Sequence, residues 1–296
     1  MTLQDGRTHR LLSDEGDLER MRALLRRLRE RASVVDFEEQ MLQPSIRARA
    51  RLWLEGDECA AFAWVDDYDH LWFELDPSRA TPRLERAVVD WGVESIRLPG
   101  QPGPRNLDAS CEAGNTERLA LLERNGFAAL RQRSLCFARS LSEPPPEAAM
   151  PGVLALRPVR GQSEVDALVA LHRACFGTDR MTAEARLALM RAPSYMAELD
   201  MVAMAPGGEL AGFCVGGFVD ETRPVGHTDP IGVHPNYRRR GLGRAMVAAV
   251  LGTLRDLGAE TAELGTSSEN LAMCCLAESL GYRVVSERVW FSLPVQ

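Results

Sequence analysis

Residues 233–245 read VHPNYRRRGLGRA: an apolar strand end, a proline-containing turn, three consecutive arginines, then Gly-Leu-Gly at the opening of a helix. The first turn of a helix leaves backbone N–H groups without intrahelical partners, and glycine lets an anion approach them unobstructed. Arg238, Arg239 and Arg240 add charge and bidentate donors suited to a ligand with several phosphoryl groups. A charge run standing alone reads as a solvated face. The glycines and the helix behind them shift the reading to a phosphate or pyrophosphate cradle, and so to a nucleotide or nucleotide-bearing cofactor.

The helix after the glycines carries Leu242, Ala245, Met246, Ala249, Val250, Thr253, Leu254 and Leu257 on one face, the spacing of a helix packed on a sheet. Working outward, strands are expected at residues 153–159, 196–204, 210–219, 227–233 and 262–265, with a last strand starting at Tyr282. Helices are expected at 163–175, capped by Ser163, at 183–191, and at 269–280, with Ser268 one reading of its cap. This order predicts an α/β fold, a mixed sheet flanked by helices.

The length of 296 residues suits two domains of about 150. A proline-rich stretch, SLSEPPPEAAMPG, divides them. The expected layout is a first domain at 1–141, a linker at 142–151 and a second domain at 152–296. The halves look related: Asn115, Leu121, Glu123, Gly126 and Phe127 share the mutual spacing of Asn270, Leu276, Glu278, Gly281 and Tyr282.

Hydrophobic content of 45%, charged content of 26% and a net charge of −7 exclude a disordered chain and argue against a nucleic-acid partner. No apolar run is long enough to span a bilayer, and the opening MTLQDGRTHR lacks a signal-peptide core, so a cytoplasmic protein without a membrane partner is expected. The seven cysteines form no Cys-x-x-Cys pair, which predicts reduced, mostly buried thiols and no metal site. The chain contains no lysine, which excludes a Walker-type phosphate lysine and Schiff-base chemistry.

Strand, Arg238-x-x-Gly241-x-Gly243 turn, helix, strand, Asn-led helix, Gly-aromatic, strand: this order resembles the GNAT superfamily of acetyl-CoA-dependent N-acetyltransferases. The resemblance covers residues 150–296, and the first half looks like a degenerate second copy, giving two tandem GNAT-like domains. Where its turn should lie, the first half reads DPSRATPRLERAVVDWG, without glycine between Asp76 and Trp91, so no cofactor is expected there.

The resemblance implies acetyl-CoA as cofactor. Arg238, Arg239, Arg240, Gly241, Leu242, Gly243 and Arg244 would hold the pyrophosphate, and Ile231, Gly232 and Val233 would line the pantetheine arm. Asn270 would contact the cofactor from the next helix. Acetyl would pass by direct attack, in a ternary complex, to a primary amine of a small molecule or peptide. Asp229 is the first candidate base, with His227, His234 and Glu263 as competitors. Asp229 also reads as a solvated strand-end charge, and His234, before Pro235, as a turn residue. Many relatives carry a tyrosine that protonates the departing thiolate where this chain has Ala277. Water, Cys274, Cys275 or Ser268 stand as substitutes, though the cysteines also read as core filler. The alternative function is a non-catalytic acyl-CoA sensor or scaffold. The first half could shape the substrate cleft, form a homodimer contact or support folding.

Overall fold

The computed structural model describes residues 7–28, 37–38, 40–97, 105–220 and 223–295. Two compact units divide the chain, one of residues 1–133 with 288–296 and one of residues 134–287.

In the first unit, β1 (Thr8–Leu11), β2 (Arg51–Glu55), β3 (Glu58–Val65) and β4 (Leu71–Leu75) form an antiparallel sheet in that order. Side chains alternate across β3. Ala61, Ala63 and Val65 enter one core, while Cys59, Phe62 and Trp64 enter another. The helix α1 (Glu15–Leu28) closes the second core with Leu18, Met21, Leu24 and Leu25, an i, i+3, i+4 face, and α2 (Pro44–Arg47) adds Ile46. The first core is covered by α3 (Pro82–Ile96), through Leu84, Val88, Val89 and Trp91. Next come β5 (Arg105–Glu112) and α4 (Thr116–Arg124), the latter capped by Asn115, whose Oδ1 accepts from Arg118 N at 2.9 Å.

In the second unit, β6 (Ala128–Ser140) contributes its residues 134–140. It is followed by β7 (Ala155–Pro158), α5 (Val165–Phe176), α6 (Ala183–Arg191), β8 (Asp200–Met204), β9 (Leu210–Val215), β10 (Gly217–Asp220), β11 (Arg223–His227) and β12 (Ile231–Val233). Then come α7 (Leu242–Asp256), β13 (Thr261–Ser267), α8 (Leu271–Ser279) and β14 (Arg283–Val295). One sheet runs β12-β9-β8-β7, and β10-β11-β13-β6 are successive neighbours in another. Leu242, Met246, Val250 and Leu254 of α7 pack on the core that holds Ala262 and Leu264. On the opposite side Leu168 and Leu171 of α5 meet Val202, Phe213 and Val215.

The expected strands and helices are present with shifted ends, except that the strand expected at 227–233 is two: His227 ends β11 in one sheet and Ile231–Val233 form β12 in another, with the chain leaving the strand at residues 228–230. Ser163 lies in a 3-10 turn and does not cap α5. The expected strand at 196–204 begins only at Asp200, after a 3-10 turn, and the strand at 210–219 divides at Gly216. Asn270, not Ser268, caps α8, accepting from Met273 N at 3.2 Å. All seven cysteines are free thiols, three of them buried and Cys275 exposed.

The compact units run differently from the expected boundary at 141–152. Residues 134–140 pair with β13 inside the second unit, register Glu263↔Ala138, and residues 288–295 of β14 pair with β5 inside the first, register Phe291↔Ala109. The prolines mark where regular structure stops, but strand partners are chosen by pairing between distant segments, which local composition does not encode. Val289, Phe291 and Val295 thereby complete the first unit's core from the far end of the chain.

All five tryptophans lie in the first unit, so their fluorescence reports its unfolding. Phe291→Ala, although near the C-terminus, is expected to destabilise that unit by about 3–5 kcal/mol, seen as a lower midpoint in fluorescence-monitored urea unfolding. An unchanged midpoint would contradict this placement of the last strand.

Candidate active site

The segment from Arg223 to Val233 begins in one sheet and ends in the other. Residues Val225–His227 run parallel to Thr261–Glu263, and the last bond of this pairing is Thr228 N to Glu263 O, 3.0 Å. The chain then turns through the cis Asp229–Pro230 bond, and Ile231–Val233 pair antiparallel with β9. Pro230 O accepts from Val215 N at 3.1 Å and His234 N donates to Ala211 O at 2.9 Å. By antiparallel alternation the backbone of Ile231 and Val233 faces away from β9. Between the diverging strands lies a fork rooted at Thr228 and Glu263, with an edge where an extended ligand could form sheet-like bonds.

The turn after β12 is the candidate anion site. Arg239 has φ +60° and Gly241 φ +83°, two left-handed positions that curl the backbone toward a concave nest. Gly241 is the N-cap residue of the 15-residue α7, and its carbonyl accepts from Ala245 N at 3.0 Å. The N–H groups of Leu242, Gly243 and Arg244 precede that first intrahelical bond and carry the positive end of the helix dipole. Gly241 is needed for its backbone angle. Gly243 is needed for packing, since a Cβ there would lie 3.0 Å from Leu276 Cδ1 and 3.5 Å from Val233 Cγ2.

The four arginines divide their tasks. Arg238 Nε donates to Val233 O at 3.1 Å and its Nη2 to Cys175 O at 2.7 Å, bracing the turn against the end of α5. Arg244 Nη1 donates to Glu147 O at 3.1 Å. Arg240 lies over the Tyr237 ring, 5.8 Å from its centroid, and Arg239 is exposed. Tyr237 packs on the turn and donates to Glu209 at 3.0 Å.

At the root of the fork, Asp229 Oδ2 accepts from Gly265 N at 3.2 Å, and Oδ1 lies 3.4 Å from His227 Nδ1. Ala262 and Leu264 face the α7 core, so Glu263 faces the other way, on the side where His227 pairs with it. Asp229, Glu263 and His227 therefore gather at one place. His234 stands apart: its Nδ1 accepts from Asn236 N at 3.3 Å and its ring meets Tyr237 edge-on.

Ala277 is fully buried in the second unit's core. Tyr282 is buried too, its hydroxyl 2.9 Å from Thr228 Oγ1, and burial raises its pKa far above the ordinary tyrosine range. Cys274 is also held as a thiol, chiefly by burial, with Sγ 3.8 Å from Ser267 O. His227 and Asp229 stand two residues apart, the spacing at which side chains share one face of a strand. The sequence trace of the pair is the His-x-Asp-Pro spacing.

A family model described as the acetyltransferase (GNAT) family matches residues 165–282. The mycothiol acetyltransferase of Thermobispora bispora is 30% identical over 292 residues, covering 90% of this chain and 92% of that one. The mycothiol acetyltransferase of Propionibacterium freudenreichii subsp. shermanii is 31% identical over 51% of this chain and 50% of its own. The chain belongs to the GNAT acetyltransferase family. Its fold is shared with a tandem GNAT protein from the clavulanic acid biosynthesis pathway, at TM-score 0.70 and 14% identity over 98% of both chains. A GCN5-related N-acetyltransferase from Sphaerobacter thermophilus gives TM-score 0.68 and 24% identity, covering 84% of this chain and 81% of the other.

This GNAT protein is an N-acetyltransferase that uses acetyl-CoA. Its residues fit that cofactor: the start of α7 presents backbone donors in a left-handed turn beside an exposed arginine, suited to a pyrophosphate. Among the described residues no helix is long and apolar enough to cross a membrane.

Replacing Gly241 by Ala forces a Cβ into a left-handed conformation, at a cost of about 1–2 kcal/mol. Calorimetry is expected to show acetyl-CoA binding weakened about 5- to 30-fold. Gly252→Ala, further along α7 with open space around it, is expected to leave binding unchanged.

Proposed function

We propose that the chain transfers acetyl from acetyl-CoA to a primary amine of a small molecule related to mycothiol, the compound for which its full-length relative is named, by direct attack in a ternary complex. The cofactor supplies an activated acetyl thioester. The N–H groups of Leu242, Gly243 and Arg244 and the side chains of Arg239 and Arg240 bind its pyrophosphate. Arg238 and Arg244 brace this turn through the carbonyls they already hold. Ile231 and Val233 offer backbone bonds to the extended arm, Gly232 pairs with β9 behind them, and the NH₂ of Asn270 reaches toward the cofactor while its Oδ1 caps α8.

The gathering of Asp229, Glu263 and His227 at the root of the fork carries this reading, because an amine must lose its proton before it attacks. Ala277 leaves the thiolate to depart without a tyrosine acid. A free thiol has a pKa of about 8.5, so the thiolate is stable enough to leave into water. Transfer therefore does not require the tyrosine.

The first unit, in this proposal, does not bind the cofactor. Its corresponding turn satisfies its own donors: Thr81 Oγ1 accepts from Leu84 N at 3.2 Å and Asp76 Oδ1 accepts from Ser78 N at 3.0 Å. Pro82 has no N–H to give. A cleft of about 450 Å³ at the starts of α3 and α4 is lined by Glu74, Glu85 and Glu117, a poor setting for a polyphosphate. Its Arg118 and Arg124 are already paired with Glu74 and Glu85.

Thiol release from acetyl-CoA with a panel of small amines tests the reading; tight binding without release from any of them would favour the sensor. Asp229→Asn is expected to cut turnover about 100-fold or more with unchanged acetyl-CoA affinity by calorimetry. An unchanged rate would remove Asp229 from the reaction.

A further inference from the structure

We propose that the acceptor is a primary amine carried on an apolar body, and that the ring of Phe176 is the surface on which that body rests. This deepens the acetyl-transfer reading and rests on it for the identity of the occupant.

The split sheet has two faces beside the fork. On one, Ile231, Val233, Ala262 and Leu264 join the core that α7 covers. By strand alternation Gly232 and Glu263 belong to the other face. A Cβ on Gly265 would lie 3.5 Å from Asp229 Oδ2, so this carboxylate stands on that other face too.

Gly232 leaves room for aromatic packing. A side chain there would collide with the ring of Phe213, its partner on β9, and would lie 3.0 Å from Cys175 Cβ at the end of α5. The Phe213 ring thus extends over Gly232 toward the open edge of β12. Phe213 is buried, and Phe176 stands edge-on to it with ring centroids 6.2 Å apart. His172, one turn earlier in α5, lies 4.6 Å from the Phe176 ring and 5.8 Å from that of Phe213. Phe176 itself is 49% exposed. Among the described residues of the second unit it is the one aromatic side chain that stands exposed. A ring already held by two others loses little freedom when a ligand covers it.

Charge gives such a ligand a direction. Arg238 donates to Cys175 O at 2.7 Å, which sets a guanidinium at the aromatic end, while Asp229 and Glu263 stand at the other. Burial, with Arg186 nearby, holds the His172 pKa below the ordinary histidine value, so its ring adds no positive charge at pH 7. An ammonium is drawn to the carboxylates and kept from Arg238. The apolar part of the same molecule is then left over Phe176. Three residues separate Asp229 from Gly232, at most about 10 Å of extended chain, so nitrogen and apolar body fit within one small molecule.

Phenethylamine and ethanolamine are the acceptor probes, one primary amine carrying a ring and the other a hydroxyl. In the wild type, kcat/KM for phenethylamine is expected to exceed that for ethanolamine about 10-fold or more. Phe176→Ala is expected to bring this ratio close to one by raising KM for phenethylamine, whereas Phe176→Leu keeps most of it. Leu257→Ala, which removes an exposed apolar side chain at the far end of α7, is expected to leave the ratio as in the wild type. Calorimetry with coenzyme A in place of acetyl-CoA is expected to show phenethylamine binding weakened about 10-fold by Phe176→Ala, with no turnover involved. A wild-type ratio near one, or a ratio that Phe176→Ala leaves unchanged, would overturn the proposal. Absence of thiol release, with phenethylamine binding still sensitive to Phe176, would instead overturn the acetyl-transfer reading and leave the apolar amine site standing.

Discussion

A strand between two sheets has one hydrogen-bonding edge to give each side, and the segment Arg223–Val233 spends its length on both. Up to His227 it belongs to β13; from Ile231 it belongs to β9. Had it continued beside β13, Ile231 and Val233 would be paired within the sheet and no edge would remain. The transfer at Thr228–Pro230 therefore creates the open edge, sets the start of the Gly241 turn above it and places Asp229 at its root. The buried Thr228–Tyr282 hydrogen bond and the Gly265 N–H to Asp229 contact fasten the point of divergence from two sides. Their strength is local, about 0.5–1.5 kcal/mol for a typical hydrogen bond and more where the acceptor is charged.

What was legible in the sequence was what local chemistry decides. The turn at Arg238–Arg244 could be read as a glycine-opened helix start because glycine is the residue that takes a left-handed position there, and Gly241 does so. Asn115 and Asn270 announce the same cap in both halves, and both make it. Where several polar residues stand near a helix start, composition offers several caps, so Ser163 and Ser268 were plausible and neither is used in that way. Gly243 has a packing role that local pattern does not show. Its value lies in a contact with Leu276, more than thirty residues away, that no local pattern reveals.

The rest was hidden because it is non-local. That residues 288–295 serve the first unit follows from Val289, Phe291 and Val295 fitting its core, while Phe137 is drawn into the core of the second. The stretch 142–151 was easier to see and correctly suggested a break in regular structure, yet it does not coincide with the division between units.

Under the proposed function, one fold supports a cofactor site in the second unit and none in the first. In the first unit, Thr81 caps α3, Pro82 removes a donor and Arg7 donates to Arg79 O at 3.0 Å, so the turn is complete without a ligand. Glu85 adds negative charge to the first turn of that helix. In the second unit the corresponding helix begins at a glycine that offers no side-chain cap, and two arginines stand beside its unbonded donors. The polar groups that would stabilise an isolated helix end are the ones an anion site must leave unused. The second unit thus forgoes about 0.5–2 kcal/mol of capping stability and keeps a place where a phosphate can provide it. Under the proposed function, absence of a cofactor site from the first half needs no damage to the fold. A side-chain cap in place of the glycine turn makes the helix start more stable and leaves fewer backbone donors for an anion.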